Sequence, residues 1–345
     1  MKYLLNKHKI LLLIWLPFFT FILFITLYKT NYSVVTTGDI TNLEDIYSID
    51  GGYDSAGSFN SVFVYSTDKI SLFQKWATSL DDNAYLYIPT KNYSLFSTSE
   101  LNKMGVIQKN QSVEAAIIKA YNEASLTDSS ISLDYTFKGL IVEYIIKSDN
   151  QQFEIGDIIT SINGVTADDG VNALESAYLE MFEGSEVVIK RGSSEKSIYL
   201  NEESCLYYND DGNLRTHISY YEKYNVDYKN ATPALSISSI NTSGPSAGLM
   251  QTLAIYNLLV ETDLTNGKRI AGTGTIDVSG NVGEIGGIEQ KVVAAFKNKC
   301  DIFLCPKDNY EDGYKQYKKL GSSRSRMKFV EVSSFADAVE VLLNA

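Results

Sequence analysis

From Ile10 to Tyr28 the chain reads ILLLIWLPFFTFILFITLY, with no ionisable group before the terminal tyrosine. So apolar a run has to be hidden from water along its length, and roughly 20 such residues in a helix match the hydrocarbon core of a bilayer. Residues 10–28 are therefore expected to form one transmembrane helix. Lys2, Lys7 and Lys9 precede the run and only Lys29 follows closely. That bias of positive charge places residues 1–9 in the cytoplasm and everything after the helix outside the cell membrane, as a single-pass protein. A cleaved signal is the other reading of such a start. The run is longer than the usual ~7 to 15 apolar residues of a signal, and YKTNYSVV behind it offers no small-x-small cleavage site. A retained anchor is the expectation, with no second span downstream.

The 345 residues leave room for two or three domains with separate cores. A net charge of -12 and a pI near 4.8 give no basic surface for a phosphate backbone, so nucleic acid is not an expected partner. Cys205, Cys300 and Cys305 are odd in number and make no paired framework. Cys300 and Cys305 also lack the spacing and the histidines of a zinc site, so all three are read as buried thiols, with no metal and no cofactor.

Past the run, residues 31–50 are polar and read as a stalk or a first strand. GSFNSVFVYS at 57–66 alternates through Phe59, Val62 and Val64, as a strand does. SVEAAIIKAYNEA at 112–124 sets Val113, Ala116, Ile117 and Ala120 at helical spacing, with Ser112 as the expected N-cap. LTDSSISLD at 126–134 reads as a connection. Residues 135 to 200 are then dominated by strand patterns. In EIGDIITSINGV, Gly156-Asp157 fits a tight turn, Ile158 and Ile159 a buried strand, and Asn163-Gly164 a two-residue hairpin. By these features the segment 130–202 resembles a PDZ domain. That family takes peptides by strand addition, and the resemblance implies a peptide-binding edge at Gly139, Leu140 and Ile141, in FKGLI.

The last region is a strand-helix-strand-helix-strand pattern. Ala234 to Ile240 reads as a strand and Leu249 to Val260 as a mostly buried helix, which leaves Ser246, in NTSGPSAG, at the connection between them. Serine is a preferred N-cap, so Ser246 is either a cap or a nucleophile placed where unpaired helix amides favour an anion. A serine nucleophile needs a base. His217 is the one histidine outside the N-terminal tail, and it leaves a Ser-His arrangement open. A lysine freed of its charge by an apolar setting is the alternative. In GGIEQKVVAAFKNK, steps of about 100° put Ile288, Val292, Ala295 and Phe296 on one stripe. Lys291 borders that stripe, while Lys297 and Lys299 lie away from it.

GPSAG followed by AGTGTIDVSGNVGEIGGIEQKVVAA closely resembles the proteolytic domain of Lon proteases. The resemblance implies a Ser-Lys dyad of Ser246 as nucleophile and Lys291 as general base, with Thr273 orienting the lysine. It also implies an oxyanion pocket from the backbone at Ser243, Gly244 and Ala247. No G-x-x-x-x-G-K-[ST] loop accompanies it, so the implied endopeptidase is ATP-independent and takes unfolded, exported or membrane proteins. As a whole the chain is similar to membrane-anchored, PDZ-containing Lon-like proteases. The expected class is α+β, with the anchor, a PDZ-like β-rich module and a Lon-type domain at 203–345. Residues 31–125 are expected to supply the first part of the protease fold, and a homo-oligomeric ring is implied. Two other readings stay open: a non-catalytic membrane scaffold, and a hydrolase that uses His217.

Overall fold

The computed structural model describes residues 2–204, 206–208, 214–239, 243–321 and 327–345, with the backbone alone at 2–14, 203, 206–208 and 214–216. The fold is α+β. Its helices are α1 (Lys2–Leu27), α2 (Leu72–Thr78), α3 (Thr98–Ser125), α4 (Val171–Leu179), α5 (Gly248–Leu259), α6 (Ile288–Lys297), α7 (Tyr310–Lys319) and α8 (Phe335–Leu343).

The expected transmembrane anchor at residues 10–28 is corrected. Among the described residues no helix is long and apolar enough to cross a membrane. The single-pass placement in the cell membrane falls with the anchor.

One six-stranded sheet runs in the order Lys328–Val332, Ile302–Pro306, Arg269–Gly272, Ser58–Thr67, Ser33–Asn42, Tyr85–Tyr87. The first four strands pair in parallel, and the last two pairings, on either side of Ser33–Asn42, are antiparallel. Parallel strands are covered on both faces and so read as continuous apolar runs. Ile302–Pro306, buried at every position, is of this kind. On one face α3, α5 and α8 close a core around Phe59, Ile117, Leu253, Ile270 and Leu342. On the other, α6 packs Ile288, Val292 and Ala295 against Val62, Ala271 and Phe303.

A second sheet, antiparallel throughout, has the order Ile218–Val226, Tyr135–Ile145, Ile158–Ile162, Glu186–Arg191, Ser194–Tyr199, with the short strand Val165–Thr166 also paired to Ile158–Ile162. Its Asn163-Gly164 turn has φ of 50° and 85°. Both values are positive, as a two-residue hairpin with the twist of its strands requires. With α4 this sheet encloses its own core, including Leu140, Ile159, Leu174 and Ile189.

α3 joins the two bodies. Ser97 and Glu100 cap its start reciprocally, so the helix begins fourteen residues before the expected cap at Ser112, which is an interior position. Met104 and Ile107 enter the core of the second sheet, whereas Ala116, Ile117 and Ala120 enter that of the first. A single rigid element therefore belongs to both cores.

Candidate active site

Ser246 lies where the chain turns from the strand Leu235–Ile237 into α5. The cap position of α5 is Ala247, which makes no side-chain cap. The Ser246 hydroxyl faces elsewhere: Lys291 Nζ donates to its Oγ at 2.7 Å. The Ser246 carbonyl is held by two donors, the Gly274 N–H at 2.9 Å and Thr273 Oγ1 at 2.9 Å. Leu249 N–H in turn donates to the Gly274 carbonyl at 3.1 Å, which fastens the turn at 273–274 to the start of α5. Glycine is needed in that turn. At Gly274 φ is +151°, and an added Cβ would lie 2.7 Å from Val282 Cγ1.

Lys291 sits one turn into α6, whose apolar stripe turns it inward against the sheet. Its side chain is only 2% exposed. Besides Ser246 its Nζ donates to Thr273 Oγ1, at 2.9 Å, and Thr273 is itself fully buried. Burial, which disfavours the ammonium form, pushes the Lys291 amine down to about 7 from an ordinary value of 10.5. Ser246, by contrast, remains half-exposed and open to a reactant. Lys297 and Lys299, expected to be solvated, are exposed.

Of the three positions implied for an oxyanion pocket, Gly244 has its N–H committed to the Gly105 carbonyl of α3 at 3.1 Å. Ser243 is exposed beside the same glycine. Among the described residues no protein acceptor takes the N–H of Ser246 or Ala247. Those two amides, at the helix N-terminus, are the donors left to meet a developing anion. α3 holds this loop at a second point, since Ser112 Oγ donates to the Pro245 carbonyl at 2.9 Å. Sequence reasoning missed both supports. The Ser97-x-x-Glu100 capping box would have shown that residues 105 and 112 lie inside a helix.

The expected peptide-binding edge at Gly139, Leu140 and Ile141 is corrected. These residues lie in an interior strand. Leu140 pairs with Glu222 on one side and Ile159 on the other, so no edge is free there for strand addition. His217 directly precedes the outer strand of this sheet, its carbonyl accepting from Ile146 N–H, and it is the Lys291 amine that lies on Ser246. Cys300 and Cys305 are buried free thiols, raised to about 11 and about 12 by burial; Cys205 lies outside the described residues. Among the described residues no group of three or more His, Cys, Asp or Glu is placed to hold a metal ion.

Residues 214–345 match the family model of the Lon protease (S16) C-terminal proteolytic domain. The Lon protease of Campylobacter jejuni is 32% identical over 130 residues, 36% of this chain and 15% of that protein. That of Fervidobacterium nodosum is 34% identical over 106 residues, 31% of this chain and 12% of its own. That of Clostridium acetobutylicum is 30% identical over 126 residues, 35% and 15% respectively. The chain thus spans 15% or less of the length of these curated relatives. The likeness is to their proteolytic part, and it supports a serine-type peptidase.

Proposed function

We propose that this chain is a serine endopeptidase in which Ser246 is the nucleophile and Lys291 the general base. The observation that carries the reading is the 2.7 Å contact of a buried, readily deprotonated amine with a half-exposed serine hydroxyl. With the amine neutral the contact reverses: the Ser246 hydroxyl donates to Nζ and its oxygen attacks a peptide carbonyl. The Ser246 and Ala247 amides meet the oxyanion, each worth about 3 to 4 kcal/mol in sites of this kind. The Lys291 ammonium then protonates the leaving amine, and the free amine next activates the water that cleaves the acyl-enzyme. No nucleotide takes part in these steps, and unfolded chains are the natural substrates.

The proposal extends to the domain plan. Residues 31–125 act with the C-terminal part of 203–345 as one catalytic unit, and the PDZ-like segment 130–202, whose sheet also takes in Ile218–Val226, is an insertion that presents substrate. The parallel pairing of Ser58–Thr67 with Arg269–Gly272 supports the first part.

The test uses the purified full chain, an unfolded protein as substrate and a covalent serine probe. Ser246→Ala and Lys291→Ala should each lose at least about a thousandfold in cleavage, and both should lose labelling, while His217→Ala keeps both activities. Full activity in either of the first two variants would falsify the assignment.

A further inference from the structure

A cleft of about 340 Å³ opens against Pro245, the residue directly before Ser246. Three distant parts of the chain converge on it. Glu222 comes from the outer strand Ile218–Val226, Glu175 from α4, and Asp277 from the turn between Thr275–Ile276 and Val282–Gly283. No lysine, arginine or histidine is among the described residues that line it. Lys223, next to Glu222 in the chain, and Lys119, packed against Gly280, are engaged elsewhere, with Glu114 and Glu123 respectively.

Among the described residues the three carboxylates have only neutral hydrogen-bond partners. The Tyr220 hydroxyl donates to Glu175, the Tyr224 hydroxyl to Glu222, and the backbone and side-chain N–H groups of Asn281 to Asp277. The Glu222 carboxyl is raised by burial first, against the hydrogen bond from Tyr224, and further by the charges of Glu175 and Asp277. Like charges gathered in a partly dry cleft repel, and a cation entering it both relieves the repulsion and gains charge-assisted hydrogen bonds. Ile276 and the tyrosine rings add apolar wall suited to an aliphatic stem below a charged head. Ser112 also lines the cleft while fixing Pro245, so the cleft adjoins the loop that carries Ser246.

Resting on the peptidase reading, we infer that this cleft takes a lysine or arginine side chain of the substrate next to the scissile bond. Glu222, Glu175 and Asp277 are its specificity-determining residues. Casein digested by the full-length chain and read by mass spectrometry tests this. Cleavage sites should be enriched in Lys or Arg within two residues of the cut. Glu222→Gln should reduce that enrichment about tenfold, as expected for loss of one charged hydrogen bond. Glu175→Lys, at a partly exposed helical position, should turn the preference away from basic residues, and it serves as a second variant should Glu222→Gln misfold. Ser246-dependent cleavage with no basic enrichment, or with the same enrichment in both folded variants, overturns the specificity and leaves the peptidase standing. Absence of any Ser246-dependent cleavage overturns the peptidase reading and this inference with it.

Discussion

Thr273 Oγ1 accepts from Lys291 Nζ at 2.9 Å while giving its own proton to the Ser246 carbonyl. A neutral primary amine has two N–H bonds and one lone pair. With one N–H held by Thr273, the lone pair is turned toward Ser246 Oγ. Thr273→Val keeps the shape and removes this constraint. We expect a fall in kcat of about 10- to 100-fold with little change in KM, since the loss is of transition-state geometry. Thr273→Ser should recover most of it. Steady-state kinetics that show Thr273→Val equal to wild type would remove Thr273 from the machinery.

The proposed reaction needs Lys291 without its proton, and burial lowers that amine to about 7. The sign follows directly: kcat/KM should rise with pH through about 7 and level off about one unit above. A pH profile that is flat from 6 to 9, or that falls, would point to a different base.

The same lysine should cost stability. Its folded-state value lies below the unfolded one, so between about 7 and about 10 the unfolded chain binds more protons than the native one. Stability should therefore climb with pH across that window and be lost again as pH falls through about 7. Lys291→Met should abolish the climb and raise stability at pH 7 by about 2 kcal/mol, because an apolar side chain fills a dry site without a desolvation penalty. Urea unfolding at pH 7 and pH 9 on both proteins measures it. A destabilised Lys291→Met protein would count against a strained, functional lysine.

Two positions in α3 separate activity from stability. An alanine Cβ at Gly105 would come within 3.2 Å of Ser243 Cβ and press on the loop before Ser246. The helix itself prefers alanine by up to about 1 kcal/mol. Gly105→Ala should thus melt no lower than wild type yet lose about fivefold in kcat. Ser112→Ala, which frees the Pro245 carbonyl, should lose activity to a similar degree at a cost of about 1 kcal/mol. Parallel thermal melts and turnover assays decide whether the two effects part company as stated.

The motifs around the proposed reacting groups were legible in the sequence because their spacing is bound to local structure. Ser246 precedes a helix, Lys291 borders the stripe of another, and the glycine turns between fix where each element ends. The first half of α3 was not legible. Leu101, Met104 and Ile107 pack on the second sheet, but Gln108 on the same side bonds Glu143, which leaves the apolar stripe too short to mark a packed helix. The strand at Gly139–Ile141 was legible as a strand, but its partner is residues 221–223, some eighty positions later. Local pattern carries no information about so distant a pairing.

The central strand contact of the catalytic sheet joins residues 58–61 to 269–272, on opposite sides of the whole second module. The stretch that matches the Lon family model begins at residue 214 and so contains only one of these two partners. Excised by itself, it would leave Arg269–Gly272 with a bare row of amides and carbonyls, an open invitation to foreign strands. The proposed catalytic unit is consequently shared between two distant parts of the chain, and neither is expected to work when transplanted alone.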